Sequence, residues 1–408
     1  MPSTESLRFA VAVLAVCLFA GTALAAGGAV VDDGALRGVV AVDNSSGYLQ
    51  PEANATSDHA YVHADVDVGV AVAGDVAAIR GSHQSLAVER AVGAAENRTD
   101  QVTRLRSTLA SLENRTAATE RALREARVAY LEGDRSRDEL ARTLARYGAR
   151  ADALESVRTT VEDVATSMNP LPADAVTNAQ NLEAALETIG GPGTDRLRDR
   201  YSGNRSAGAA YLSIVGPDGL VVATVAEGTL HREALEADQR QVGGPDSFAE
   251  TDEPEISVAL RRAAELYPWA FEQGSAAQPL RGYGNTTVYR ITAEHLQGTL
   301  STYLDGTTTN PFYEIQRVRA GEVPVTDSVT EAGGGLRLTL NLTHATGPMG
   351  VTVVREATGS PVDAAVSIDE TWLGRTGDDG HRWTVQPDES ATVTASTGEN
   401  TTVSATVG

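Results

Sequence analysis

The sequence predicts a multidomain chain: a long α-helical coiled-coil hairpin, then an α+β domain with an antiparallel sheet, then an all-β sandwich. Three observations carry this. Val102, Leu105, Leu109, Leu112, Thr116, Thr119, Leu123, Ala126 and Tyr130 alternate steps of three and four, which places them on one stripe of a helix. Near residue 205 the apolar period shortens to two, and Gly216-Pro217-Asp218-Gly219 separates two such runs as a hairpin turn. Leu336, Leu338, Leu340 and Leu342 alternate with Arg337, Thr339, Asn341 and Thr343, the pattern of a half-buried strand.

Residues 1–25 read as a Sec-type signal peptide: Arg8, an apolar run Phe9–Ala20 too short to span a bilayer, and Ala23-Leu24-Ala25 as a small-x-small cleavage site. A lone arginine does not support the twin-arginine route. Cys17 is the single cysteine, so the mature chain is expected to hold no disulfide and no thiolate metal ligand. Valine before Cys17, and an apolar run continuing past it, argue against a lipoprotein. No second hydrophobic segment follows, so no integral span is expected after cleavage.

Residues 26–64 read as a polar leader. His59 and His63, beside Asp58 and Asp65, would share a helix face, but no third or fourth ligand accompanies them; surface residues at a helix entry is the plainer reading. Residues 65–190 are read as the helical hairpin. Asp65–Val72 alternates like a strand, yet Val68, Val72, Val76 and Ile79 form a helical face that runs into the seam. Gly133-Asp134 ends one helix and opens the next, whose stripe is Leu140, Leu144, Tyr147, Ala151, Leu154, Val157 or Arg158, Val161, Val164 and Met168. Two antiparallel helices would cover each other's stripe; the rival is one continuous helix that dimerises as a coiled coil. Asn169-Pro170-Leu171-Pro172 stops the run. A short helix, Asp174–Ile189, ends at Gly190-Gly191-Pro192-Gly193.

In residues 205–320, strands are expected at Ala209–Val215 and Leu220–Ala226, a short helix at Leu230–Ala237, and a longer one from Pro254 to Phe271. Three further strands follow at Val288–Ile291, Leu300–Leu304 and Phe312–Val318. Two strands, two helices and three strands resemble the order of PAS-like and Cache-like extracytoplasmic sensor domains, a likeness of topology that implies a small-ligand module. Tyr267-Pro268-Trp269-Ala270-Phe271 is the densest aromatic cluster; sealing the helix end on the sheet outweighs a stacking platform for sugar in a chain so poor in aromatics.

Residues 321–408 carry Gly359-Ser360-Pro361-Val362-Asp363-Ala364-Ala365-Val366 and Gly374-Arg375-Thr376-Gly377-Asp378-Asp379-Gly380. This resembles the carboxypeptidase-regulatory-like, transthyretin-like β-sandwich, an Ig-like architecture, and implies a non-enzymatic appendage. Asp378 and Asp379 are read as turn residues rather than calcium ligands.

Formal net charge is −22, and all 33 basic residues are arginine. Such acidity argues against nucleic acid as a partner. The lysine-free, acidic composition is similar to that of salt-loving archaea, where salt screens self-repulsion. The whole arrangement resembles secreted proteins of halophilic archaea built from domains of unknown function. Eight Asn-x-Ser/Thr sequons, at Asn44, Asn54, Asn97, Asn114, Asn204, Asn285, Asn341 and Asn400, make glycosylation the expected surface modification. With Val102 and Leu109 at position a, Asn97 and Asn114 point away from the seam.

No phosphate-cradling loop, Gly-x-Ser-x-Gly elbow or His-Glu-x-x-His is present, and His231, His295, His344 and His381 lie far apart in the sequence. The expectation is therefore a non-enzymatic secreted or cell-surface glycoprotein without cofactor or metal. Its partners would be proteins or glycans at the surface, with self-association through the seam as an option. The alternative is a small-ligand-binding module on residues 205–320, which calls for a partly polar cavity between its sheet and the Pro254–Phe271 helix.

Overall fold

The computed structural model describes residues 39–40, 48–51, 57–62, 65–203, 209–272, 274–398 and 401–408. The expected signal segment, His63, and the sequons at Asn44, Asn54, Asn204 and Asn400 lie outside them.

Three long helices replace the expected two. Asp67 accepts a hydrogen bond from Val70 N to open α1 (Val68–Gly93). Asn97 accepts from Asp100 N to open α2 (Arg98–Leu131). Ser136 and Glu139 form a reciprocal capping box for α3 (Arg137–Thr166). The break at residues 94–97 comes from Asn97, whose side chain competes for backbone N–H groups and so starts a helix better than it continues one.

The predicted seam is buried from Leu105 to Ala126. Its neighbour α3 is central and packs on α1, α2, α4 (Ala173–Glu187) and α5 (Pro192–Tyr201). Beside the leucine stripe, α3 carries a second stripe, Ala141, Ala145, Ala149 and Ala153, buried as well. Small residues let α1 approach closely: a Cβ on Gly81 would meet the Ala153 carbonyl oxygen at 3.0 Å. This geometry corrects the expected inner face of α1. Val68, Val72, Val76 and Ile79 face outward, 72, 53, 36 and 68 % exposed, and α1 buries Val70, Gly81, Val88 and Val92 instead.

Residues read as a loose leader supply three strands, β1 (Val39–Val40), β2 (Tyr48–Leu49) and β3 (Ser57–Val62). With β4 (Ala210–Val215), β5 (Gly219–Ala226), β6 (Thr229–Glu236), β7 (Ser275–Gly282), β8 (Val288–His295), β9 (Gly298–Asp305) and β10 (Pro311–Arg319), β3 builds an eight-stranded antiparallel sheet. Its order, β3-β4-β5-β6-β10-β9-β8-β7, is two four-stranded meanders meeting where β6 pairs with β10. The β6 segment was expected as a helix. Its composition favours one, but β5 and β10 take up its backbone groups on both edges, and pairing overrides propensity. The five expected strands are thus part of a larger set.

Both sheet faces are covered. Leu212, Ile214, Leu220 and Val222 join the core of the long helices. On the opposite face Tyr211, Ala223, Val225, Leu230 and Val318 join the core of the C-terminal sandwich. The remainder of that face packs on α6 (Glu255–Leu266) and α7 (Pro268–Glu272), with Ala259, Ala263, Tyr267 and Ala270 against Ile291, Ala293, Leu300 and Leu304. The sandwich pairs one sheet, β11 (Asp327–Gly333), β12 (Leu336–Leu342), β13 (Pro348–Arg355) and β16 (His381–Val385), with a second. The second runs β15 (Thr371–Arg375), β14 (Ala365–Ile368), β17 (Ala391–Ser396), β18 (Thr402–Val407).

Candidate functional site

Four sequons fall on described residues. Asn97, Asn114 and Asn285 are exposed, and Asn341 is half-exposed on β12. Asn97 has a second task, since its side chain also caps α2.

Other residues singled out in the sequence serve packing. Tyr267 and Ala270 are fully buried under α7, and Trp269 meets the His295 ring edge-on at 4.6 Å. The space between sheet and α6–α7, where a small-ligand module calls for a cavity, is filled by that apolar cluster. Asp379 accepts from His381 N at 3.0 Å, closing a turn. His59 lies in strand β3, not on a helix, and its Nδ1 approaches Asp388 Oδ2 at 2.9 Å. His231, His295 and His344 sit at three separate junctions, where burial lowers each to about 4. Among the described residues no group of three His, Cys, Asp or Glu is placed to hold a metal ion. Among them, too, no helix is long and apolar enough to cross a membrane.

Buried charge gathers where the two meanders meet. Arg232 on β6 and Glu314 on β10 are diagonal neighbours on the sandwich-facing side of the sheet. Arg232 donates to Glu314 at 2.7 Å, to the Leu49 carbonyl at 2.6 Å and to Thr346 Oγ1 in the sandwich at 2.8 Å. Glu314 also accepts from Leu49 N at 2.7 Å. Tyr48 lies under the guanidinium and stacks on His344. Burial pushes the Glu314 carboxyl up, and Arg232 opposes this. The cluster ties β2, the sheet and the sandwich together.

On the helical side Glu233 of β6 caps α5, accepting from Thr194 N at 3.2 Å and from the Thr194 hydroxyl. At Gly191, the N-cap, a Cβ would overlap Glu233 Oε2 and the Tyr313 hydroxyl, so any larger residue would force both to shift. Burial drives Glu233 up to about 8 despite these donors.

Beside this junction a cleft of about 280 Å³ opens between α2, α3 and the β5–β6 end of the sheet. Leu123, Leu144, Ile189, Leu220, Leu235 and Phe312 form its apolar wall. Arg121, Arg124, Arg127 and Arg240 line it with Glu120 and Asp218. Arg127 is held by the Pro217 carbonyl at 2.8 Å and Arg124 by Asp218. Arg240 lies over the Phe312 ring, and among the described residues its buried Nε has no hydrogen-bond partner. Burial lowers its pKa. An apolar wall beside the partly unsatisfied Arg240 guanidinium suits a small anionic or polar-headed ligand. No sequence pattern marks this cleft, because its residues come from six separate segments.

Three family models match successive parts of the chain. Residues 6–206 match a domain of unknown function (DUF7096), and residues 214–324 a family of unknown function (DUF7094). Residues 327–404 match the archaeal fibronectin-III type-like domain. The C-terminal sandwich is fibronectin-III-like. The finer likeness to carboxypeptidase-regulatory domains rests on its strand and turn residues alone. The first two matches meet inside the sheet: β3 belongs to one span and pairs with β4, which straddles the start of the other. Their boundary in sequence is therefore not a boundary in the fold. No curated protein and no solved structure matches the chain.

Proposed function

We propose that this is a secreted or cell-surface glycoprotein of a halophilic archaeon that works by binding rather than catalysis, in the envelope of the cell. The observation that carries the reading is the placement of the four described sequons, none of them buried. The apolar start of the chain and its lysine-free acidity support the location. The covering of both sheet faces supports a rigid displayed body rather than a stalk with cargo. Intact-mass measurement of protein isolated from a haloarchaeal host tests it. A mass above that of the polypeptide, reduced stepwise as sequons are removed, is expected; an unmodified mass, or hydrolysis of peptides, glycans or esters by the pure protein, overturns it.

A second reading, a small-ligand module of the PAS or Cache kind, is favoured by the cleft that Arg240 lines. It would use the helical face of the sheet, not the α6–α7 face. Leu235→Trp fills that cleft. A ligand that raises the melting temperature of the parent protein and not of the variant would support this reading.

A further inference from the structure

We propose that the groove between α1 and α2 receives an acidic amphipathic helix from a partner protein. The two helices both pack on α3 but leave a trough between them, with volumes of about 820 Å³ and 340 Å³ along its length, both bordered by Arg115. Its α1 wall runs from Ala73 to Ala91, roughly 27 Å of helix. A helix about 10 Å wide, sunk to half its girth over that length, displaces roughly 1,000 Å³, close to what the trough offers.

The lining specifies the occupant. Small apolar side chains (Ala77, Ala122, Ala126 and Ala153) form much of the surface. Exposed Val76 adds to it on the α1 wall. Such a surface accepts the apolar face of a helix. Around it stand Arg80, Arg115, Arg135, Arg146 and Arg150. Among the described residues none of these five has a carboxylate at ion-pair distance, whereas Arg106, Arg158 and Arg198 nearby are all paired. Glu125 is the acidic residue of the lining. Arg115 donates to Gln84 at 2.8 Å and Arg135 to Thr143 at 2.7 Å, so both heads are held in place. In a chain of net charge −22, five arginines on one apolar groove with no ion-pair partner among the described residues form a complementary surface for acid.

The spread of charge selects among anions. Arg135 and Arg150 are roughly 20 Å apart along the groove. One lipid headgroup reaches only one end, while carboxylates spaced three and four apart on a helix reach both. An acidic glycan would reach both ends as well, but it gains nothing from an alanine and valine surface. Close guanidinium–carboxylate contacts also survive strong salt better than long-range attraction does.

The test uses the full chain and a labelled, designed 22-residue peptide with leucine and alanine on one stripe and glutamate on its flanks, against the same peptide with every glutamate replaced by glutamine. Fluorescence anisotropy is expected to show the acidic peptide binding at least tenfold more tightly. Arg115→Gln with Arg150→Gln should cost at least tenfold with an unchanged melting temperature. Ala77→Trp, which fills the trough from a partly exposed position, should abolish binding, and it decides the matter if the double variant does not fold. Equal binding of the two peptides, no binding of either, or indifference to both variants overturns the proposal. Phosphatidylglycerol vesicles captured in place of the peptide would overturn it in favour of a lipid surface. A dimer in native mass spectrometry that Ala77→Trp dissolves would overturn it in favour of a second copy of this chain.

Discussion

Arg232 Nη1 donates to Glu314 Oε1 at 2.7 Å, and neither side chain has any exposure to solvent. The pair sits where the two meanders join and where β2 and the sandwich loop come down on the sheet. Two charges are this deep only because each is fully engaged, the guanidinium by a carboxylate, a carbonyl and a hydroxyl, the carboxylate by a guanidinium, an amide and the Gln316 side chain.

Removing one partner strands the other. Arg232→Met is expected to cost about 3–5 kcal/mol in denaturant unfolding, since it leaves Glu314 buried and unpaired. Arg232→Met combined with Glu314→Leu should cost less than the single change. If the double variant proves the weaker, the pair is not the source of the loss.

The contact of His59 with Asp388 links β3 to the loop before β17 and should make stability depend on pH. Burial alone would lower His59 and raise Asp388. Their mutual attraction reverses both shifts, assisted at Asp388 by the Tyr211 hydroxyl and at His59 by Glu389. Raised His59 favours the fold below its unfolded value of 6.5, and this contribution is lost as pH climbs through the higher folded value. Lowered Asp388 favours it above 3.8, and that contribution is lost as pH falls through the lower folded value. Melting temperature in constant salt should therefore fall on both sides of the window between them, and Asp388→Asn should flatten the profile.

Glu233 works in the opposite sense. Its carboxyl loses a proton at 4.5 when unfolded and only at about 8 when folded, so its charge weighs against the fold increasingly across that interval. Glu233→Gln keeps an acceptor for Thr194 and carries no charge. It should match the parent protein below pH 4.5 and exceed it by roughly 2–4 kcal/mol at pH 8. A constant offset at every pH would show that ionisation is not the cause.

Two glycine substitutions separate crowding from chain stiffness. Gly191→Ala pushes a methyl into Glu233 and Tyr313 and should lose about 1–3 kcal/mol. Gly93→Ala, at the end of α1 with nothing within 4 Å of the new carbon, should be neutral or gain about 0.4–1 kcal/mol. Thermal unfolding of the pair suffices to compare them.

At the first helix-borne sequon, glycan and cap can be pulled apart. Thr99→Ala removes the sequon and leaves the Asn97 cap, so it should change the mass and hardly the stability. Asn97→Ala removes both and should cost about 1 kcal/mol more in unfolding. Equal losses would mean the cap contributes nothing.

Much of the fold is legible because local chemistry and tertiary demand agree. The seam, the Gly-Pro-Asp-Gly hairpin, the three strands from Val288 to Val318 and the leucine-alternating strand all lie where their periods put them. There, one stripe or one alternation is enough to define the buried face. The errors fall where two faces compete. The valines of α1 look like an inner face, but the alanines of α3 and the glycines of α1 fit more closely and leave those valines outside. The β6 segment is helix-prone, and only two flanking strands make it a strand.

The candidate sites divide along the same line. From the sequence alone come the sequons, the acidic charge, the helical seam and the C-terminal β-sandwich, since each follows from composition or from a pattern within a short segment. The tertiary structure decided that leader, sheet and sandwich share one buried ion pair, that Arg240 meets an apolar cleft, and that five arginines border one trough. Those relations join residues far apart in the chain, and no periodic pattern encodes them, because they depend on which surfaces pack most closely.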